Sequence, residues 1–237
     1  MNPPDFPLGP VAGHDIEGVS EVTFRTMNQS DLFNLGSDLP LQTVELIELS
    51  DGDILWIRHF LPPQEADTLF QTLQQEIPWR QDNIRIGGKE QPIPRLQAWF
   101  GDPGMRYTYS GLTLEPQPWT ATLAALKQRI ETYSDCHFNS LLANLYRDQN
   151  DSVGWHADNE PELGENPTIA SLSLGDSRTF QLKHRQHPER KLKLDLGHGD
   201  LIIMKGPLQH FWLHQVPKSR EPTGPRINLT FRRIFAG

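Results

Sequence analysis

Hydrophobic residues from Phe138 onward occur in short runs separated by Gly, Pro, Asp and Asn. Short strand-like runs with turn residues between them are typical of an antiparallel sandwich or barrel. The predicted strands cover residues 141–146, 168–174, 179–182, 192–196, 201–204, 211–216 and 227–234, with an earlier one over 54–60.

Two segments ahead of this region have helical spacing instead. Pro62 and Pro63 favour a helix start, and apolar residues then recur at helical spacing until Pro78. A second helix is predicted after Pro118, again with one apolar face. The pattern as a whole predicts a mainly β domain with flanking helices.

Acidic charge is concentrated in the first quarter of the chain. Residues 1–53 hold ten acids and one base, a net charge of −9, whereas the remaining 184 residues hold 21 bases and 20 acids, a net charge of +1. Residues 1–40 are also rich in Pro, Gly, Asp and Asn. We therefore predict an extended or disordered acidic segment over 1–40 and a single domain over 41–237. The whole-chain charge of −8 disfavours nucleic acid as a partner. The near-neutral remainder of the chain, residues 54–237, does not.

The composition excludes several classes of protein. No apolar stretch approaches the roughly 18 residues that a membrane-spanning helix needs. The N-terminus lacks the basic and apolar regions of a secretory signal. Cys136 is the only cysteine, which excludes an internal disulfide and fits a reducing compartment. We expect a monomer without membrane contact that is cytoplasmic, or nuclear in a eukaryotic cell.

His156 and Asp158 are two residues apart in a segment that reads as extended, so their side chains point to the same face. An imidazole and a carboxylate placed in this way can share one metal ion. A second histidine would complete a 2-His-1-carboxylate triad, which leaves coordination positions open for oxygen and a co-substrate. H-x-D is a common tripeptide, so the motif has little specificity by itself.

The second histidine has three candidates in the β region. His198 lies in a turn, where a histidine is usually only tolerated. His210 and His214 are four residues apart, but the flanking glycine and prolines favour a strand or loop over a helix. Both would then face the same way and either could bind metal, with His214 favoured because it is nearer the last strand. His184 and His187 are expected to be solvated.

The last predicted strand alternates strictly between polar and apolar residues. Arg226, Asn228, Thr230 and Arg232 share one face. One interpretation is an amphipathic strand whose polar face is in water. The other is a polar face that lines a barrel interior, where buried guanidinium groups require anionic partners. A dicarboxylate such as 2-oxoglutarate would supply them through bidentate pairs.

Four sequence blocks, taken together, resemble the AlkB family of Fe(II)/2-oxoglutarate-dependent nucleic-acid demethylases, and they are nearer to its eukaryotic repair-type members. The blocks are NLYRDQNDSVGWHADNE (144–160), IASLSLGDSRTF (169–180), the W-x-H of Trp212 and His214, and PRINLTFR (225–232). The resemblance covers residues 54–235. It implies a double-stranded β-helix, or jelly roll, with flanking helices and a nucleotide-recognition lid.

The resemblance also implies roles for individual residues. It places Fe(II) and the catalytic centre on His156, Asp158 and His214. It places 2-oxoglutarate against Asn144, Tyr146, Arg226, Thr230 and Arg232, with Asn228 in support. It places a flipped base against Trp99, Tyr107, Tyr109 and Glu160, although ordinary strand packing is the alternative for the aromatic residues.

The reaction implied by the resemblance is oxidative demethylation of N-alkylated bases, such as 1-methyladenine and 3-methylcytosine, in DNA or RNA. It consumes O2 and 2-oxoglutarate on Fe(II) and releases succinate, CO2 and formaldehyde. Residues 86–89 lack the aromatic residue that some relatives acting on duplex DNA carry. Because extruding a base costs least from a single strand, we expect a preference for single-stranded substrates. The alternatives are a 2-oxoglutarate oxygenase of a protein or small molecule, and a non-catalytic nucleic-acid-binding relative.

Residues 178–193 carry six bases and one acid, a local net charge of +5. Charge runs of this kind are usually solvated. Contacts to the phosphates of a nucleic acid are the functional alternative, and such contacts are sequence-independent and salt-sensitive.

Overall fold

Seventeen strands, three helices and one 3-10 turn are found in the part of the chain that the computed structural model describes, namely residues 14–17, 23–27, 43–86, 88–105, 107–109, 112–114 and 116–235. The strands are β1 (His14–Glu17), β2 (Thr23–Met27), β3 (Val44–Leu49), β4 (Gly52–Ile57), β5 (Asn83–Ile86), β6 (Lys89–Pro92), β7 (Leu96–Gly101), β8 (Tyr107–Tyr109), β9 (Leu112–Leu114), β10 (Ser140–Tyr146), β11 (Val153–His156), β12 (Ile169–Gly175), β13 (Arg178–His184), β14 (Lys191–Leu196), β15 (Leu201–Lys205), β16 (Trp212–Val216) and β17 (Arg226–Arg232).

Most of these strands form two antiparallel sheets. The major sheet has eight strands in the order β2-β3-β4-β15-β12-β17-β10-β7, and the minor sheet has five in the order β1-β14-β13-β16-β11. Two further hairpins, β5–β6 and β8–β9, lie outside these two sheets. This arrangement is the predicted jelly roll, since two antiparallel sheets pack face to face across one shared core.

The helices begin where the local sequence favours them. Helix α1 (Pro63–Glu76) has a proline in its first turn, and helix α2 (Ala121–Ser134) is capped by Thr120, whose hydroxyl accepts the Leu123 N–H at 3.2 Å. Both predicted helices are therefore confirmed. Helix α3 (Leu208–Phe211) is a single turn that the apolar pattern did not predict. In the described part of the chain, no helix is both long enough and apolar enough to cross a bilayer.

Two apolar layers enclose the major sheet. One joins its outer face to α1 and α2, and the other joins its inner face to the minor sheet. On β17, Ile227, Leu229 and Phe231 enter the helix-side layer. Arg226 and its polar neighbours on the same strand are buried on the opposite side, between the sheets. The interpretation of this polar face as a barrel interior is therefore confirmed.

Helix α3 corrects the prediction for the two histidines four residues apart. His210 belongs to this helical turn and is exposed, whereas His214 is buried on β16. They do not face the same way, because Gly206 and Pro207 allow a helical turn before the strand begins.

His184 is not solvated, contrary to the prediction. It is 2% exposed, its Nε2 lies 3.1 Å from Asp51 Oδ2, and its ring stacks against Phe211. The basic residues on either side of His184 suggested solvent exposure, but His184 occupies a strand position whose side chain faces inward.

The acidic N-terminal segment contributes a strand to each sheet. Strand β1 pairs with β14, and β2 pairs with β3. Part of the segment predicted as extended or disordered is thus paired with the sheets, and the predicted domain boundary at residue 41 stays a prediction.

The turn after β12 provides a test of backbone strain. Gly175 has φ +89°, and a Cβ there would collide with the Pro225 carbonyl oxygen and lie 2.9 Å from Phe70 Cε2. We expect Gly175→Ala to lower the free energy of unfolding by about 2 kcal/mol or more in urea titrations. Gly154→Ala is the control, because its Cβ would meet no atom within 4 Å. Equal effects of the two substitutions would contradict this explanation.

Candidate active site

A cavity between the two sheets brings together most of the predicted site residues. It is lined by Arg95, Leu142, Asn144, Tyr146, Val153, His156, Asp158, Ser171, Phe180, Met204, His214, Val216, Arg226, Asn228, Thr230 and Arg232. Its wall combines the polar face of β17 with residues of β10, β11 and β16. Strands that lie far apart in the sequence therefore converge on one polar space within an apolar sandwich.

Strand pairing creates the metal-ligand geometry. Strands β11 and β16 are antiparallel, with His156 directly opposite His214, and the two ring centroids are 4.2 Å apart. Asp158 follows β11 by two residues, and a ligand atom from each of the three side chains lies within 4.8 Å of the other two. This is the 2-His-1-carboxylate arrangement that non-haem Fe(II) requires.

The two histidines can offer nitrogen lone pairs to a metal. His156 Nδ1 lies 2.8 Å from the Gly154 carbonyl oxygen, which can only accept, so Nδ1 carries the proton and Nε2 is left as a ligand. His214 Nδ1 is buried, with no hydrogen-bond partner among the described residues. Burial and the nearby His156 lower the pKa of His214 to about 3, so its ring is neutral at physiological pH.

Asp158 is held as a buried carboxylate. Burial alone would raise its pKa, but Arg232 and the two imidazoles outweigh burial and lower the pKa to about 2. Arg232 Nη2 donates to Asp158 Oδ1 at 2.8 Å, and the Asp158 backbone N–H donates to Gln209 Oε1 at 3.0 Å. The cluster thus combines an ionised carboxylate with a neutral imidazole, which are the protonation states that metal binding needs.

Arg226 is a buried cation that fits an anionic ligand. It is 1% exposed, and its Nη2 donates to Ser173 Oγ at 2.8 Å. Its Nε and Nη1 are buried and have no hydrogen-bond acceptor in the described part of the chain. Burial lowers its pKa to about 10, while the phenol of Tyr146 favours the charged form, so the guanidinium stays positive at neutral pH. A carboxylate of 2-oxoglutarate would complete its hydrogen bonds.

Three of the other predicted 2-oxoglutarate residues are held by side-chain hydrogen bonds. Asn228 Nδ2 donates to Ser171 Oγ at 2.7 Å, and the Thr230 hydroxyl donates to Asn228 Oδ1 at 3.0 Å. Asn144 Oδ1 accepts from Arg95 Nε at 2.8 Å. Such connections hold polar side chains in one orientation before any ligand binds.

Further site residues are not predicted by the sequence pattern. Arg95 lines the cavity, Ser173 supports Arg226, and Gln209 supports Asp158. Arg95 lies four residues before Trp99, and its positive charge is the sequence signal that could have identified it. No local pattern marks Ser173 or Gln209, because their roles depend on contacts across the fold.

The predicted base contacts agree less well with the structure. Trp99 is buried against Leu163 and Ile234, its indole N–H donates to Ser140 Oγ at 2.8 Å, and it does not line the cavity. Strand β7 pairs with β10 and directs this ring into the core, and the predicted contact with a base stays a prediction. Glu160 precedes the 3-10 turn Pro161–Leu163, is partly buried, and is not among the cavity-lining residues.

Some of the predicted lid lies beyond what the structure describes. Tyr107 and Tyr109 belong to β8, but their side chains are outside the described part of the chain. Gly87, within residues 86–89, is also outside the described part of the chain. The roles predicted for these residues stay predictions.

The ligand cluster also predicts how the metal-free protein responds to acid. Between about pH 6.5 and about pH 3, the unfolded chain binds a proton at His214 that the folded protein does not bind. The free energy of unfolding should therefore decrease as pH falls, by up to about 1.4 kcal/mol per pH unit. Below about pH 4, Asp158 contributes in the same direction until about pH 2.

Urea unfolding of metal-free protein at about pH 7 and about pH 5 checks this prediction. Wild type should lose more stability than His214→Gln over this interval. His210→Gln is the control, since His210 is exposed, and it should behave as wild type. Parallel pH dependence of wild type and His214→Gln would contradict the prediction.

Comparisons with known proteins identify the family of this chain. A family model described as the 2OG-Fe(II) oxygenase superfamily matches residues 53–232. The Alpha-ketoglutarate-dependent dioxygenase alkB homolog 3 of Mus musculus is 45% identical over 188 residues, which cover 74% of this chain and 64% of that protein. The DNA oxidative demethylase ALKBH2 of Homo sapiens is 38% identical over 181 residues, which cover 72% of this chain and 69% of that protein.

A solved structure supports the fold. The one described as "The structure of OsALKBH1" aligns with a TM-score of 0.58 and 17% identity, and it covers 79% of this chain and 99% of that chain. The resemblance to the AlkB family is confirmed by the sequence relatives, although the alignments span only about 64% of the length of the alkB homolog 3 proteins. The family match over most of its length shows that the chain belongs to the 2OG-Fe(II) oxygenase superfamily, whose reaction uses Fe(II), 2-oxoglutarate and O2.

Proposed function

We propose that this protein oxidatively demethylates N-alkylated bases in nucleic acid. The observation that carries the proposal is the pairing of a His-Asp-His cluster with the buried cation Arg226 in one cavity. The names of the relatives support the substrate class, since one of them is a DNA oxidative demethylase.

The protein's own residues would bind the two cofactors. His156, Asp158 and His214 would hold Fe(II), and Arg226 would pair with a carboxylate of 2-oxoglutarate, with Asn144, Tyr146, Asn228, Thr230 and Arg232 around it. The chemistry supplied at this site is O2-dependent decarboxylation of 2-oxoglutarate to succinate and CO2, coupled to hydroxylation of an N-methyl group that leaves as formaldehyde. Arg232 keeps Asp158 ionised and oriented, and the apolar core between the two sheets would limit the access of bulk water to the cavity.

On the substrate side, the hairpins β5–β6 and β8–β9 would form the lid. We propose that Tyr107, Tyr109 and Glu160 contact the flipped base and that single strands are preferred. We also propose that the protein acts as a monomer in the cytoplasm or, in a eukaryotic cell, the nucleus, and that residues 41–237 form the catalytic domain.

Cofactor binding can be tested without turnover. Under anaerobic conditions, Fe(II) and 2-oxoglutarate should give the iron-to-2-oxoglutarate charge-transfer band with wild type and no band with Asp158→Ala. Arg226→Met should keep iron binding but weaken 2-oxoglutarate binding roughly 30-fold or more, because a buried charge pair is worth at least about 2 kcal/mol. His210→Ala removes an exposed histidine and should leave the band unchanged. Absence of the band with wild type would refute the cofactor assignment.

The reaction itself can be followed by mass spectrometry. Single-stranded oligonucleotides containing 1-methyladenine or 3-methylcytosine should lose one methyl group, and the loss should depend on 2-oxoglutarate. The same oligonucleotides in a duplex should react more slowly, by about tenfold or more, because base extrusion costs a few kcal/mol. Equal rates would overturn the strand preference. An intact charge-transfer band with no methyl loss would indicate a protein or small-molecule substrate instead.

A further inference from the structure

The outer face of the minor sheet carries an exposed aromatic ring next to positive charge. We call the residues on this face the outer surface. They are Trp155 on β11, Leu213 and Gln215 on β16, Thr179, Gln181 and Lys183 on β13, and Lys191, Lys193 and Asp195 on β14. Their side chains alternate with the buried residues of the same strands, so this face points away from the catalytic cavity.

Trp155 is unusual among the large hydrophobic residues. It is 36% exposed, and in the described part of the chain only Phe235 is comparable. The Lys183 ammonium lies 4.3 Å from the centroid of its ring. An accessible indole beside a cation is what a nucleic-acid base and its phosphate require, since every base can stack on an aromatic face.

Two lysines on this face form a like-charge pair across adjacent strands. Lys183 and Lys191 are directly opposite each other on β13 and β14, and like charges at such positions are destabilising. Among the side chains that the structure describes, neither lysine has a carboxylate partner, and Glu17 of β1 occupies the register position opposite Lys191. An anionic ligand on this face would remove the repulsion.

The position of Trp155 links the outer surface to the cavity. Strand β11 is the open edge of the minor sheet, and Trp155 immediately precedes His156, which points into the cavity. A chain that leaves the cavity over this edge therefore meets Trp155 first. From β11 to β14 the sheet extends three interstrand spacings, about 14 Å, which is room for more than one nucleotide.

The acidic segment borders the outer surface on its far side. Strand β1 pairs with β14 so that Asp15 and Glu17 occupy register positions opposite Lys193 and Lys191. Trp155 on β11 is separated from β1 by β14, β13 and β16, whereas Lys183 on β13 is separated from β1 by β14 alone.

We propose that the outer surface binds the single strand that flanks the target base, with a neighbouring base on Trp155 and its phosphates on Lys183 and Lys191. The inference rests on the proposed function, because that function places a base of the same strand in the cavity. Nucleic acid is favoured over an acidic protein segment because the ring and the charges form one path that leads to this cavity.

Substrate length tests the role of Trp155. Wild type should bind and demethylate a methylated 11-mer better than a methylated trinucleotide. Trp155→Ala should raise KM for the 11-mer about tenfold, because one base would no longer be stacked, and leave KM for the trinucleotide unchanged. Trp155→Phe should retain part of the effect, and Phe235→Ala, which removes an exposed aromatic ring elsewhere, should match wild type.

Salt dependence tests the lysines. The double variant Lys183→Ala/Lys191→Ala should reduce the slope of log Kd against log salt for an unmethylated single-stranded 11-mer, by about 0.7 for each phosphate that a lysine no longer neutralises. Lys127→Ala/Lys205→Ala removes the same charge from α2 and β15 and should leave the slope unchanged. Thermal unfolding of each variant will show whether folding is intact.

The outcomes separate the two proposals. If wild type demethylates neither substrate, the proposed function fails. If wild type demethylates both, but Trp155→Ala keeps the full advantage of the 11-mer and the lysine variant keeps the salt slope, the outer surface does not bind the strand. A protein partner would then be the occupant to seek.

Discussion

Burial of charge between two apolar layers is the constraint on which this site depends. Strand β17 places Arg226 inside the sandwich, where Ser173 satisfies only part of its guanidinium. A second arginine on the same face, Arg232, is paired with Asp158. The protein thus keeps one buried cation neutralised and leaves the other for a ligand. An uncompensated buried charge is costly, and the fold retains it at the position where a dicarboxylate co-substrate would bind.

The metal cluster depends on contacts that no single element supplies. Pairing of β11 with β16 brings His156 opposite His214, and the single turn of α3 presents Gln209 to the backbone of Asp158. Each supporting group is buried and has a defined partner, which reduces the freedom of the ligands before metal binds. The same turn separates His210 from the cavity. His214 therefore lies in the metal cluster, whereas His210 faces solvent.

Charge outside the cavity is unevenly distributed along the chain, and the net charge does not show this. Acidic residues are concentrated near the N-terminus, and β1 adds part of that segment to the edge of the minor sheet beside its lysines. Lys183 on β13 is one strand further from β1 and lies opposite Lys191 in the register. A chain with a charge of −8 therefore still offers a basic, aromatic surface next to its proposed active site.

The sequence by itself determined the features that depend on local periodicity. The strands after Phe138, both long helices, the alternation of β17 and the shared face of His156 and Asp158 all follow from short-range spacing. Only the tertiary structure decided which faces are buried. Trp99 and His184 became core residues, and Arg95 and Gln209 became part of the site, because the layer opposite each residue comes from a distant part of the chain. Burial is a property of two surfaces in contact, and a local pattern describes only one of them.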